Sequence, residues 1–398
     1  MRMVKGNAFL SGLCASALVL GVVAGGVHAD VTIEKGASIL IFPKVRVNST
    51  TDTIIQIANT GNSPVSAHCF YVDATLSDIR TGAPCSLPTA FCVANWQETD
   101  FNIFLTKQQP THWLVSSGRS DDPSDGFWED GSGLDPGRVP PEDPFEGELK
   151  CIEVGPSDDP IIGNHLKGEA TIKTTDGDNV GDVSKYNAIG IVGNPNILPS
   201  SPLLLDQNVY NACPAQLIVN HAATFSSDPV ADEADADSSS VSTELTLVPC
   251  SEDFEHQLPT STTVQFVVYN EFEERFSAST TVSCYLSTEL TNIDSAQTPT
   301  RSIFSTQVLG TDVASTVITP IANNGAVIGV AERTVSVTND ATTRSARAAY
   351  NIHGIGDHVP GQCTNSSAAC SSNADCTGGG TCITGSADQI TLTAQSEQ

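Results

Sequence analysis

Four cysteines, Cys363, Cys370, Cys376 and Cys382, stand six, five and five residues apart in a run of Gly, Ser and Asn. Four thiolates could hold zinc, but the spacing lacks the close-set knuckles of about two to four residues that zinc sites use. In an exported chain oxidation is favoured, so the set reads as two disulfides of open connectivity. Upstream, Cys85 and Cys92 enclose "SLPTAF" and read as a local loop closure. Cys69 and Cys151 fall on matched strand positions and suit a bridge across a sandwich. Cys284 takes the place of Cys69 in the second half of the chain, with Cys250 or Cys213 as its partner. Eleven of the twelve cysteines lie beyond Cys14, an odd number, so at least one thiol is free or pairs between chains.

Oxygen ligands gather once. "TDGDNVGD" brings Asp176, Asp178, Asn179 and Asp182 into a glycine-turned loop that suits calcium, the one cofactor the chain could be expected to take. Val180 interrupts the ligand series and no glutamate closes it, so a solvated acidic turn is the plainer account. Carboxylates and aromatics meet in a second place. Residues 116–146 hold nine acidic residues with Phe127, Trp128 and Phe145, and Trp96 lies in a neighbouring insertion. Trp96, Phe127, Trp128, Glu129 and Asp130 could stack on a sugar ring and accept its hydroxyls, or contact a protein. The same acids could serve as the pair of a glycosidase, although decoration of a soluble loop is the first reading.

Other chemistries fall by elimination. Met1 and Met3 lie in an N-terminal leader, which leaves no axial methionine for blue copper, and there is no Cys-x-x-Cys-His for haem. "HLKGE" at 165–169 is not a zinc-protease helix, and no Gly-x-Ser-x-Gly elbow or phosphate loop occurs. His68, beside Cys69 on a strand, reads as packed or outward-facing rather than as a ligand.

The leader itself runs from a basic start (Arg2, Lys5) through an apolar stretch, Ala8 to Val27, to Val27-His28-Ala29, the order of a signal peptide cut after residue 29. Removing Arg2 and Lys5 leaves 16 basic against 46 acidic residues, moving the formal charge from −28 to −30. Such a surface repels nucleic acid and anionic lipid. No further stretch has the length and apolarity of a membrane span. The expected location is secreted or cell-surface, with the periplasm as an alternative.

What positions these residues is a repeated β pattern. "TIIQIAN" (53–59) alternates, turns at "GNSP" and resumes toward Cys69; "TVQFVVYN" (263–270) matches it with Asn270 set on Asn59. "ILIFP" ending at Pro43 matches "LTLVP" ending at Pro249, where proline suits an edge strand or a strand end. Cys69-Phe70 matches Cys284-Tyr285, "GELKCIEV" (147–154) matches "GAVIGVAE" (325–332), and "YNAIGI" (186–191) matches "YNIHGI" (350–355). Five matches in register indicate a tandem duplication. Short Thr- and Val-rich runs without long helical periods indicate an all-β fold of two tandem immunoglobulin-like β-sandwiches.

The expected domains are 1–29 as signal peptide, 30–205 as the first sandwich with loop insertions and 206–242 as an acidic, partly flexible linker. The second sandwich follows over 243–360, and 361–398 form a disulfide-rich tail. The run "ACPAQLIVNHAATF" (212–225) could add a strand to either sandwich.

On "ELTLVPCSEDF", "VQFVVYNEFEERFSAS" and "YNACPAQLIVNH", the chain resembles uncharacterised secreted bacterial proteins with tandem immunoglobulin-like domains. Its tail, "CTNSSAACSSNADCTGGGTC", resembles small Cys-rich modules of bacterial surface proteins. The resemblance implies disulfides and extracellular exposure and carries no catalytic motif. The reading that follows is a non-enzymatic structural, adhesive or recognition protein meeting a protein or glycan surface. A secreted polysaccharide hydrolase, with its acids in the first-half insertions, is the alternative. A periplasmic chaperone fits less well, because it needs an exposed apolar edge.

Overall fold

Alternating β-branched runs pair with their sequence neighbours wherever a turn is short, and with distant strands wherever an apolar face must be covered. The computed structural model describes residues 31–392 apart from 84, 86–91, 120–135, 178, 228–237, 295, 297, 322–324, 340–341, 366–369 and 371. The signal peptide expected over 1–29, and Phe127, Trp128, Glu129, Asp130 and Asp178, lie outside the described residues.

The first half holds β1 (Ile39–Val47), β2 (Thr51–Asn59), β3 (Val65–Asp73), β4 (Leu76–Asp78), β5 (Cys92–Ala94), β6 (Gln97–Leu105), β7 (Pro110–Leu114), β8 (Phe145–Val154), β9 (Leu166–Thr174), β10 (Val183–Asn187) and β11 (Ile189–Ile191). They make a five-stranded sheet, β11-β1-β8-β3-β6, and a four-stranded sheet, β10-β9-β2-β7. One core lies between them, with Leu40, Phe42, Ile55, Ile57, Tyr71 and Trp113 among its side chains. The period of two explains it: along β2, Ile55 and Ile57 turn inward while Gln56 is exposed.

The second half begins with β12 (Leu203–Leu205) and β13 (Pro214–Ala222), then β14 (Ser238–Pro249), β15 (Glu252–Asp253), β16 (Ser261–Asn270), β17 (Arg275–Ser283), β18 (Leu286–Glu289), β19 (Val313–Pro320), β20 (Val327–Asn339), β21 (Thr342–Asn351) and β22 (His353–Asp357). Five of these form the sheet β17-β16-β19-β13-β22 and four the sheet β18-β14-β20-β21, around a second core that includes Phe266, Val268, Leu245, Leu247 and Phe304. The tail adds β23 (Gln362–Cys363), β24 (Cys382–Ile383) and β25 (Asp388–Thr391), and β25 lies between β12 and β15 in a three-stranded sheet. The fold is all-β: among the described residues its longest α-helix is the four-residue α1 (Thr306–Leu309). No helix among them is long and apolar enough to cross a membrane.

Two expectations about boundaries need correction. The run 206–242 is not simply a linker, because β13 within it is hydrogen-bonded to both β19 and β22, with Leu217 and Val219 in the second core. Nor do the halves and tail fold apart. A third core is shared by Ile39, Phe70 and Ile152 of the first half, Val248, Phe254 and Ile328 of the second, and Ile390 of the tail. The physical reason is that β1, β3 and β8 carry apolar residues on both faces, so the outer face of their sheet must also be covered.

The aligned segments behave alike in part. β1 pairs antiparallel with β8 as β14 does with β20, and β2 pairs with β7, the strand before β8, as β16 does with β19, the strand before β20. Beyond these pairs the neighbours differ, since β8 continues to β3 whereas β20 continues to β21. Asn59 and Asn270 match closely. Each ends its strand nearly buried and braces the turn that follows: Asn59 Nδ2 donates to the Ser63 carbonyl at 2.7 Å and Oδ1 accepts from Gly61 N–H, while Asn270 Nδ2 donates to the Leu309 carbonyl at 2.8 Å and Oδ1 accepts from Phe272 and Glu274 N–H.

The disulfides are Cys69–Cys151, Cys85–Cys92, Cys213–Cys250, Cys363–Cys376 and Cys370–Cys382. Cys69–Cys151 joins directly opposed residues of β3 and β8 within one sheet and does not cross between sheets. Cys284, expected to be bridged, is the one free thiol among the described residues and is buried, because Cys213 on the approach to β13 reaches Cys250 instead.

Candidate functional site

The side chains that the fold brings together are charged and lie where the halves meet. Pro43 sits at a bulge in β1, an interior strand, where the register with β8 shifts between Phe42 and Val45. Bulges are the place a sheet interior tolerates proline. The irregular backbone is satisfied by Tyr186 on β10, whose hydroxyl donates to the Lys44 carbonyl at 2.6 Å and accepts the Lys44 N–H. With that bend Lys44 is buried and its ammonium lies 3.0 Å from Glu244 on β14 and 3.8 Å from Glu332 on β20. Arg46, two residues on, bridges Glu146 and Glu244 at 2.7 Å each.

The seam continues along β8. Glu148 and Lys150 share a face by the period of two, and that face is covered by the second half. Lys150 Nζ donates to Glu148 at 3.0 Å, to the Pro249 carbonyl at 3.4 Å and to Glu252 on β15. At the other end, Ser184 on β10 donates to Glu332 at 2.8 Å, and Arg347 on β21 lies 3.7 Å from Glu332 and 3.8 Å from Asp182.

Burial and neighbours set the charge states. Burial pushes the Glu148 carboxyl well above the usual range and Glu252 adds to that, against the pull of Lys150. Lys150 is held above its ordinary value even though burial works against it, because Glu148 and Glu252 stabilise the ammonium. The core of the seam is thus one buried ammonium, Lys150, shared by the Glu148 and Glu252 carboxyl groups. Burial also acts against ionised Glu244, but Lys44 and Arg46 outweigh it and hold that carboxyl well below the usual range.

Two histidine clusters contain the residue types of acid–base catalysis in the wrong order. Glu153 lies between Ser38 and His165: Ser38 Oγ is 3.2 Å from Glu153 and His165 Nδ1 is 2.8 Å from it. Asp388 in the tail lies between Ser251, at 2.9 Å, and His358, at 2.7 Å. In a nucleophile triad the histidine stands in the middle to take the hydroxyl proton; here the carboxylate does, and Ser38 and Asp388 are sealed from solvent. His68 stacks on Phe70 between Asp100 at 3.0 Å and Asp158 at 2.8 Å, a packed residue as its strand position suggested. These clusters tie segments together. Glu98 on β6 is raised to about 7 by burial, then by Asp100 and Glu252, but those neighbours are engaged by His68 and Lys150.

The expected ligand residues are placed otherwise. Trp96 is not on an open face: it is 7% exposed, in the shared core. Of the calcium candidates, Asp176 accepts the next N–H in its own turn, whereas Asn179 and Asp182 accept the Ser345 and Arg347 N–H of β21. Among the described residues the one group close enough to share a metal is Cys363, Cys370 and Cys376, whose sulfurs are in disulfides. A cavity of ≈ 230 Å³ beside β11 and β22 is lined mainly by apolar residues such as Ile189, Leu217, Ile328 and Ile352. At its polar margin the Asn351 amide is engaged by the Asn187 backbone. Sequence reasoning missed Lys44, Glu148, Lys150, Glu244, Glu252 and Glu332 as a group, and the available signal was the alternation of charge with apolar residues in "GELKCIEV".

No protein-family model matches this chain, and no curated protein does. Among solved structures, the C-terminal domain of the Streptococcus pyogenes antigen I/II-family protein AspA aligns at 6% identity over 80% of this chain and 99% of its own, with a TM-score of 0.10. The CFA/I enterotoxigenic E. coli adhesin CfaE aligns at 7% identity over 82% and 96%, with a TM-score of 0.09. Overlaps this slight carry no argument about fold or role.

Proposed function

We propose that this chain is exported and acts outside the cytoplasm as a non-enzymatic structural, adhesive or recognition element, meeting a protein or glycan surface. The observation that carries the reading is the order of groups in the Ser38–Glu153–His165 and Ser251–Asp388–His358 clusters. With the carboxylate central, the histidine has no hydroxyl to deprotonate, and the cluster acts as a tie. The convergent acids of the seam are likewise buried against Lys44, Arg46 and Lys150.

Five disulfides support export, as does the basic, apolar and small-residue order of residues 1–29. We read the aligned strands of the two sheet pairs as descended from one duplicated unit, on the strength of the shared pairings and the twin turn braces Asn59 and Asn270. Recognition is supported by the turn after Asn270, which displays Phe272 at 72% exposure among Glu271, Glu273 and Glu274.

The test is to apply the chain from Asp30 onward to a glycan array and to a polysaccharide panel, with calcium and with chelator. The reading expects binding without release of reducing ends. Turnover above a heat-inactivated control contradicts it.

A further inference from the structure

Among the described residues each edge of the four- and five-stranded sheets is short, charged or covered, with one exception. β11 has three residues and continues into a bridge with Thr32. β6 carries Glu98 and Asp100, and its Phe104 N–H donates to the Pro136 carbonyl. β7 starts with Pro110, and Arg119 caps the His112 carbonyl. The Asn187 backbone of β10 is held by the Asn351 side chain, and β21 is met by Asn179 and Asp182. β18 has four residues and ends in Glu289, and β22 carries Asp357. These are the usual ways in which an edge is kept from pairing.

β17 is the exception. Its nine residues, Arg275–Ser283, form an edge whose register with β16 is unbroken from Ser261↔Ser283 to Tyr269↔Arg275, and among the described residues β16 is the one strand paired with it. It contains no proline, no lysine and no carboxylate, and its exposed side chains after Arg275 are Ser277, Ser279, Thr281 and Ser283.

We infer that β17 pairs antiparallel with β17 of a second copy of this chain, joining two five-stranded sheets into one. Charge selects that occupant. Two copies of the chain from Asp30, at −30 each (16 basic against 46 acidic residues), repel each other over most of their surfaces, so a contact between copies falls on a stretch without acids, and β17 is such a stretch. Antiparallel pairing about a two-fold axis is self-complementary. It sets hydroxyl side chains opposite one another and sends the acidic turns at 271–274 to opposite ends of the joint.

Sedimentation equilibrium on the chain from Asp30, between about 1 and 100 µM, tests this. The expected result is a monomer–dimer equilibrium that tightens with added salt, because the Debye length falls from about 10 Å at 0.1 M to about 3 Å at 1 M and screens the repulsion. Ser279→Lys weakens the dimer at least about tenfold, a loss of about 1.4 kcal/mol or more. Where that variant also lowers the melting temperature, Ser279→Cys decides: oxidation yields a covalent dimer through residue 279. A monomer at every concentration and salt, a dimer indifferent to a well-folded Ser279→Lys, or failure of Ser279→Cys to cross-link overturns the inference.

Discussion

Lys150 in the first half and Glu252 in the second hydrogen-bond to each other with both side chains at 0% exposure. A charge pair so placed stabilises only as a pair, since either partner alone is an ion without water. Lys150→Met should therefore destabilise the protein by about 3–5 kcal/mol in urea unfolding. Adding Glu252→Gln should recover at least half of that, because it removes the carboxylate that Lys150→Met leaves buried without a cation. A double variant as unstable as the single one contradicts the pairing of Lys150 with Glu252.

Stability should fall on mild acidification because of His221. Burial holds its ring neutral and pulls its pKa down to about 4, against the Ala222 carbonyl, while Nε2 faces Thr316 Oγ1 at 2.8 Å. In the unfolded chain the ring titrates near the ordinary value of about 6.5. The unfolded state then binds more protons between these values, so the contribution is complete above about pH 6.5 and is lost as pH falls toward 4. It amounts to on the order of 3 kcal/mol. His221→Gln should flatten that stretch of the stability profile, and an unchanged slope assigns the loss elsewhere.

Removing either turn brace should cost about 1–3 kcal/mol, the penalty for leaving buried backbone groups unpaired. Asn59→Ala and Asn270→Ala are thus expected to shift the urea midpoint by similar amounts. Near-neutral behaviour of one of them would separate the two turns and weaken the case for duplication.

The tail contributes to the body through Ile390, fully buried between β12 and β15. Ile390→Ala should cost about 2–5 kcal/mol, as large-to-small changes in a core do. A near-neutral Ile390→Ala would contradict the tail's place in the shared core.

Much of this was legible in the residues. Period-two runs marked β2, β3 and β16, matches between the halves marked β1 and β8, and the spacing and matched positions of cysteines marked Cys69 with Cys151 and Cys85 with Cys92. The assembly was less so. β13 reads as one apolar run, and nothing local says which sheet it enters, because its partners β19 and β22 lie far along the chain. Glu148 and Lys150 alternate with Leu149 and Cys151, a pattern that reads as one wet face and one dry face; the second half covers the wet face and turns it into the seam. Trp96 has the composition of a binding loop around it, yet an apolar ring with a sheet face nearby is buried. Cys284 lost its expected partner to a pairing between Cys213 and Cys250 that depends on the fold around β13.

The core shared by both halves and the tail, with the ion pairs of Lys44, Arg46 and Lys150 across the seam, makes the two halves a single cooperative body. Differential scanning calorimetry of the chain from Asp30 tests it most directly. A single cooperative body melts in one transition whose calorimetric and van't Hoff enthalpies agree; two resolved transitions, each carrying about half the heat, mean that the halves unfold independently.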